Sequence, residues 1–315
     1  MIIFFAQSYT FLHKMNIRSN IFDISVIYIE KIFLWIYYTP REENFMTKKK
    51  TALKIKGFYR AIKSEYKENK ASFFLYFALR AIVITLGVML FVGGNAEGGM
   101  LCLLTLLLFL LPAFVQTTFK VEMPTALEMI VLIFIFAAEI LGELGEYYVK
   151  VPFWDTMLHT VTGFMAAAIG LSLIDLLNRN DQFNFALSPF FVALVSFCFS
   201  MTIGVLWEFF EFGSDCILNT DMQKDTVVNI ISSVLLNPEN KNDPIIIKGI
   251  SDTAVNGTAL GINGYLDIGL VDTMKDLIVN FVGAIIFSVF GFFYSKYKGK
   301  SRTAAVVEGL KMKKK

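Results

Sequence analysis

Residues 189–215 read PFFVALVSFCFSMTIGVLWEFFEFGSD: nineteen positions, 189–207, carry no charge, and Glu208, Glu211 and Asp215 then follow within eight. About 20 apolar residues are enough for a helix to cross the hydrocarbon core of a bilayer. The three acids stand at i, i+3 and i+7, which is one stripe of such a helix. They also sit at its C-terminal end, where the helix dipole already disfavours negative charge and like charges one turn apart repel. This stretch therefore predicts a membrane span that ends in an acidic site.

Five more segments are long and apolar enough to span: 73–94, 100–118, 125–145, 154–176 and 272–295, alongside 189–212. The composition agrees. The chain is 55% hydrophobic and 15% aromatic with 32 Phe, and its mean hydropathy is +0.58, far from a soluble average. The expected fold class is all-α, a polytopic membrane helix bundle of about six transmembrane helices. The net charge of +2 says little because the charges are segregated. Basic residues flank the spans, so nothing points to nucleic-acid binding. Cys102, Cys198 and Cys216 lack metal-ligand spacing, and Cys102 and Cys198 read as packing.

Lysine and arginine placement sets the orientation. Residues 47–71 carry nine, and the tail after the last span carries eight: Lys296, Lys298, Lys300, Arg302, Lys311, Lys313, Lys314 and Lys315. An even number of spans puts both ends on one side, so both termini are expected to be cytoplasmic. The 216–271 segment then lies outside as an extracytoplasmic loop or cap between helices five and six. Asn256-Gly257 marks a β-hairpin turn within it, and Asn237–Pro244 reads as another turn. The resulting division is an N-terminal extension (1–45), a basic cytoplasmic N-terminus (46–72), a membrane domain (73–298) and a basic cytoplasmic tail (299–315). Asp23, Glu30 and Lys31 make the extension a poor span. Met46 before Lys48–Lys50 suggests a later start, the alternative being a helix lying on the membrane surface. Arg80 in the first span is expected to snorkel or to pair within the bundle.

With this topology nine carboxylates converge on one face: Glu139, Glu143 and Glu146; Asp155; Glu208, Glu211 and Asp215; Asp272 and Asp276. Asp155 and His159 are spaced i, i+4, and Asp272, Asp276 and Asn280 continue at i, i+4, i+8. Simpler roles compete for some of them. Asp155 and Asp272 stand where a carboxylate caps a helix N-terminus. His159 and Asn280 suit interhelical hydrogen bonds, and Gly163 and Gly283 suit close packing. Glu146 suits a solvated loop, while Trp154, Tyr147, Tyr148 and Trp207 suit the interfacial aromatic belt. Asp175, at the inner end of the fourth span, is expected to be solvated there. Charge accounting decides for the acidic stripe: Lys150, Lys275 and a protonated His159 cannot balance nine acids, so protons or a bound cation must. Carboxylates with one histidine suit Mg²⁺, Mn²⁺ or Ca²⁺, or Zn²⁺ if His159 is a ligand. The candidate metal ligands are Glu208, Glu211, Asp215, Asp272 and Asp276. Asp155 and His159 are the candidate acid/base pair, supported by Glu143 and Asn280.

Five motifs occur in order: Leu141-Gly142-Glu143; Phe153-Trp154-Asp155 with Leu158-His159 and Gly163; Trp207-Glu208-x-x-Glu211-Phe212-x-x-Asp215; Met222-Gln223; and Asp272-Thr273-Met274-x-Asp276-Leu277-x-x-Asn280-x-x-Gly283-Ala284. Together they resemble the YjdF-like bacterial inner-membrane proteins over about residues 70–298. They are more distantly similar to VanZ-like proteins, which tend to have Gln where this chain has Glu211. The resemblance implies a polytopic inner-membrane protein and names no substrate.

Three functions follow as expectations. One is a divalent-metal-dependent enzyme acting on a lipid or lipid-linked envelope substrate at the outer leaflet. The second is a proton- or cation-coupled transporter, disfavoured because the inner halves of spans four and six carry no charge and no inverted repeat is visible. The third is a cation-stabilised interaction protein in the bilayer.

Overall fold

The computed structural model describes residues 70–178 and 187–314. The N-terminal extension, the Met46 start, the basic residues before Lys70 and Arg179 lie outside the described residues. In chain order, α1 is Lys70–Val92, α2 Ala96–Leu108, α3 Leu111–Thr118, and α4 Thr125–Phe136 with a π-helical continuation Ala137–Leu144. The short α5 (Tyr147–Lys150) leads to α6 (Trp154–Asn178) and α7 (Pro189–Leu218). After a β-rich segment come α8 (Leu270–Lys296) and α9 (Ala304–Leu310). Among the described residues, six helical stretches are long and apolar enough to cross a membrane: 73–92, 96–118, 125–144, 154–177, 189–218 and 270–296.

The second stretch, expected as one helix, is two. The chain bends at Phe109–Leu110, and Pro112 opens α3, a position where its missing N–H costs nothing.

The helices α6, α7 and α8 pack against one another as the central core, with α1 and α2 paired at its side. The buried residues of α7 are Ser196, Ser200, Gly204, Glu208, Glu211 and Ser214, all small or polar. Its bulky side chains, among them Phe190, Leu206, Phe209 and Phe212, point outward. That pattern is inverted relative to a protein in water and fits a helix whose outer surface meets lipid. Gly163 and Gly283 are the close-packing sites the sequence suggested: a Cβ on Gly163 would strike the Asn280 backbone, and one on Gly283 the Thr160 carbonyl. The approach of α6 to α8 there depends on the absent side chains.

Between α7 and α8 lie β2 (Val227–Val228), β3 (Ile230–Ser233), β4 (Ile245–Lys248), β5 (Ala254–Val255), β6 (Thr258–Ala259) and β7 (Tyr265–Leu266). They form three antiparallel pairs, β2–β7, β3–β4 and β5–β6. The β5–β6 hairpin turns at Asn256 (φ +52°) and Gly257 (φ +80°), the two positive φ angles a type I′ turn requires.

The end of the chain returns to the bundle. Val307, Leu310 and Met312 are buried with Leu127, Ala167, Ala168, Leu171 and Phe287. The Met312 amide donates to Ser172 Oγ at 2.9 Å, and β8 (Lys313–Lys314) pairs with β1 (Val121–Glu122). Asp175 is therefore not simply solvated: Lys311 Nζ lies 3.3 Å from its Oδ2. The sequence placed Lys311 in the basic tail, yet its side chain is buried, 3% exposed. Arg80 pairs locally, stacking 3.8 Å over the Tyr76 ring and donating to its hydroxyl.

Candidate metal centre

The C-terminal ends of the α4 continuation and of α7 meet the N-terminal ends of α6 and α8 at one end of the core, bringing three of the four acidic stripes together. Glu208, Glu211 and Asp276 are 5%, 7% and 3% exposed, and each offers a carboxylate oxygen within 4.8 Å of the others. Asp155, His159 and Asp276 form a second such group. Asp276 belongs to both and joins them. His159 Nε2 lies 3.6 Å from Asp155 Oδ1 and 3.6 Å from Asp276 Oδ2, and the Asp155 and Asp276 carboxylate oxygens lie within 4.8 Å of each other.

The polar atoms of this cluster are incompletely satisfied. Glu208 Oε2, Glu211 Oε2 and Asn280 Oδ1 are buried without a hydrogen-bond partner. Among the described residues no lysine or arginine pairs with Glu208, Glu211 or Asp276. Two unit charges about 4 Å apart repel by about 4 kcal/mol at an effective dielectric near 20. Three ionised carboxylates therefore cannot share this space without a cation, and orphaned buried oxygens are the acceptors such an ion takes. The oxygen-rich donor set fits a hard divalent cation. Asp155, whose side chain is 34% exposed, marks the side open to solvent.

The other sequence-predicted residues divide. Asn280 is a wedge at the base of the site, 1% exposed, its Nδ2 3.6 Å from Met201 Sδ. A Cβ on Gly204 would stand 2.5 Å from that nitrogen, so the glycine makes its room. Asp215 and Asp272 are not among the clustered ligand atoms. Asp215 accepts from Thr220 Oγ1 (2.7 Å) and from the amides of Met222 (2.7 Å) and Gln223 (2.8 Å). Asp272 Oδ2 accepts from the Lys224 amide at 2.8 Å. Its predicted capping role falls to Asp267, which accepts from the Val271 amide at 2.6 Å and the Thr226 amide at 2.7 Å. These carboxylates tie the loop to the helix ends, and the loop returns Gln223 to the site: its Nε2 donates to Thr273 Oγ1 at 2.6 Å, and both side chains face Glu208. Glu143 is exposed. Glu146 is a surface group 2.6 Å from Lys150, a pairing that holds its carboxyl below the usual range.

Three contributors were assigned elsewhere or passed over. Trp207 does not belong only to an aromatic belt, since its Nε1 donates to Glu211 Oε1 at 2.8 Å. Tyr148 sits over Gly142, where a Cβ would collide with its ring. Burial, then Glu143, Asp155, Glu139 and Glu211, raise its phenol pKa and keep it a hydrogen-bond donor. Glu139 is 4% exposed with Oε2 unpartnered. It lies on the π-helical turn, a geometry that often marks functional sites. Its i, i+4 spacing to Glu143 was the available signal.

Residues 74–297 match a family described as predicted membrane protein (DUF2238). The chain belongs to this family. The matched span contains every residue of the cluster. The chain is also similar to an uncharacterized protein of Thermotoga maritima, 28% identical over 118 residues, 36% of this chain and 59% of the relative. It thus spans less than two thirds of that relative's length. No solved structure matches. As a family member with six membrane-capable helices among the described residues, the protein associates with the lipid bilayer.

Proposed function

We propose that this protein is a divalent-cation-dependent membrane enzyme whose site opens at the outer face of the cytoplasmic (inner) membrane and acts on a lipid or lipid-linked envelope substrate. One observation carries the reading: three buried carboxylates whose ligand oxygens lie within 4.8 Å of one another, paired with no lysine or arginine among the described residues and with His159 alone beside Asp276. Glu208, Glu211 and Asp276 would hold the cation, with Asp215 and Asp272 fixing the loop that covers it. A bound divalent ion supplies Lewis acidity toward a phosphoryl or carbonyl oxygen. The His159 imidazole, held between Asp155 and Asp276, is placed to carry a proton to or from the reacting group. The outward orientation rests on the lysine- and arginine-rich tail at the far end of the bundle.

A second reading has its own observation. Beneath Asn280, Ser196 and Ser288 are buried with unpartnered hydroxyls, on the same helices as the acids. Such groups suit a proton- or cation-coupled transporter.

The test is metal content of the detergent-purified protein by mass spectrometry, beside Glu208→Gln and Asp276→Asn. A near-stoichiometric divalent metal, lost in both variants, with metal-dependent release of phosphate from lipid phosphates, supports the enzyme. A metal-free protein after incubation with Mg²⁺, Mn²⁺, Ca²⁺ and Zn²⁺ removes the cation site. Proton flux in proteoliposomes would then establish the second reading.

A further inference from the structure

At the end of the bundle opposite the acidic cluster, α8 finishes at Lys296 and the chain reverses through Lys298 (φ +49°) and Gly299 (φ +75°). The Gly299 amide donates to the Tyr294 carbonyl at 2.9 Å, which closes the turn. The reversal lays Lys300–Thr303 beside the last turns of α8. Between them is a cavity of about 380 Å³ lined by Phe293, Tyr297, Lys300, Ser301, Arg302 and Thr303. Phe293 and Tyr297 stack with ring centroids 6.2 Å apart and planes 4° from parallel, forming an apolar wall. On the polar side the Ser301 and Thr303 hydroxyls lie 3.0 Å apart.

Residues 293–303 hold Lys296, Lys298, Lys300 and Arg302 and no acid. The next carboxylate along the chain, Glu308, is engaged by Tyr294, Lys311 and Lys313. The cavity thus pairs an aromatic wall continuous with a membrane-spanning helix with two cations and two hydroxyls that no anion among the described residues balances. Guanidinium, ammonium and hydroxyl donors together form a phosphate-binding set. Its place at the end of a span puts that set at headgroup depth, where basic pockets take anionic lipid heads.

We propose that this cavity binds the phosphate of an anionic phospholipid headgroup, with Lys300 and Arg302 on the phosphate and Phe293 and Tyr297 against the glycerol and upper acyl chain. The wall of aromatic rings favours a lipid over a free phosphate ion, which has no use for it. The site is separate from the acidic cluster and does not depend on the function proposed for it.

The test uses the full chain in nanodiscs of phosphatidylcholine with or without phosphatidylglycerol, followed by detergent extraction and native mass spectrometry of retained lipid. Retention of phosphatidylglycerol over phosphatidylcholine is expected, and the double variant Lys300→Gln/Arg302→Gln is expected to lose that preference by about thirtyfold, about 1 kcal/mol for each basic residue. Lys298→Gln, outside the cavity lining, should keep it. Thermal melting in pure phosphatidylcholine, unchanged in the double variant, separates lost binding from lost folding. Equal retention of both lipids, undiminished retention in the double variant, or full displacement by millimolar inorganic phosphate would each overturn the proposal.

Discussion

At one end of the α6–α7–α8 core, buried Lys311 lies 3.3 Å from Asp175 and 3.8 Å from Glu308, and donates to the Tyr294 hydroxyl at 3.0 Å. At the other end Glu208, Glu211 and Asp276 are as deeply buried, with no lysine or arginine among the described residues beside them and only the His159 imidazole near Asp276. Both ends take charge out of water, and only the first supplies its own counter-charge. A buried charge whose partner is present is explained by the chain itself. A buried cluster lacking one implies something the chain does not encode, an ion or protons. The contrast separates a structural clasp from a binding site.

Both ends share the glycine-mediated approach of α6 and α8, so the change that breaks both is the largest. Gly283→Val forces the helices apart and should cost at least about 3 kcal/mol, at the upper end of overpacking effects. Loss of folded protein on gel filtration in detergent would show it.

The acidic end should then respond to ions and the basic end should not. Saturation with the cognate divalent metal, at about 100 times its dissociation constant, should stabilise the native protein by about 2.7 kcal/mol. Thermal melting with and without chelator reads this directly, and an unchanged midpoint would erase the distinction between the ends.

Removing one charge should have opposite signs at the two ends. Lys311→Met removes one ion-pair partner of Asp175. Because the Asp175 side chain is 32% exposed, the cost is about 1–2 kcal/mol, not the larger figure for a fully buried pair. In the metal-free protein Asp276→Asn relieves like-charge crowding and should stabilise by about 1 kcal/mol, while abolishing the metal response. Destabilisation by both substitutions would show that the acids are already compensated.

The smallest effect is the pH response of the basic clasp. Burial works against the Lys311 ammonium, but Tyr294, Asp175 and Glu308 together outweigh it and raise its pKa. That contribution is complete below the unfolded lysine value, about 10.4, and is lost only as pH rises through the folded value. The Tyr294 hydrogen bond, followed by Lys311 and Lys313, lowers the Glu308 pKa. Its contribution is complete above about pH 4.3 and is lost as pH falls through the folded value. Proteolysis of residues 304–314 should therefore stay flat from about pH 5 to 10 and rise outside that window. A rise near neutral pH would mean that the tail is held by something else.

The sequence made some of this legible and not the rest. The acidic stripe of α7 and the Asp276–Asn280 stripe of α8 were readable because helical spacing alone aligns them on a face, and membrane insertion obliges that face to point inward. The Asn256-Gly257 hairpin was readable because two residues carry its backbone requirement. Asp215 and Asp272 carry the same charge in the same pattern as the clustered acids, yet their oxygens accept loop amides. Nothing in the spacing distinguishes them, because the discriminating partners lie on a loop whose path is set by tertiary contacts. Trp207 looked interfacial for a different reason: its hydrogen bond to Glu211, one turn on along the same helix, is a matter of rotamer and not of position.

Length, hydropathy and the period of 3.6 determined by themselves that the described residues form six membrane-capable helices, with the acids of α7 and α8 along their inner faces, since apolar runs of about 20 residues satisfy their backbone in hydrocarbon as helices. The tertiary structure decided which acids come within one ion's reach, and that Lys311 returns from the tail to meet Asp175. Those outcomes rest on distances between segments remote in the chain. Only packing fixes such distances, through the glycines that let α6 and α8 touch and the loop that closes over their ends.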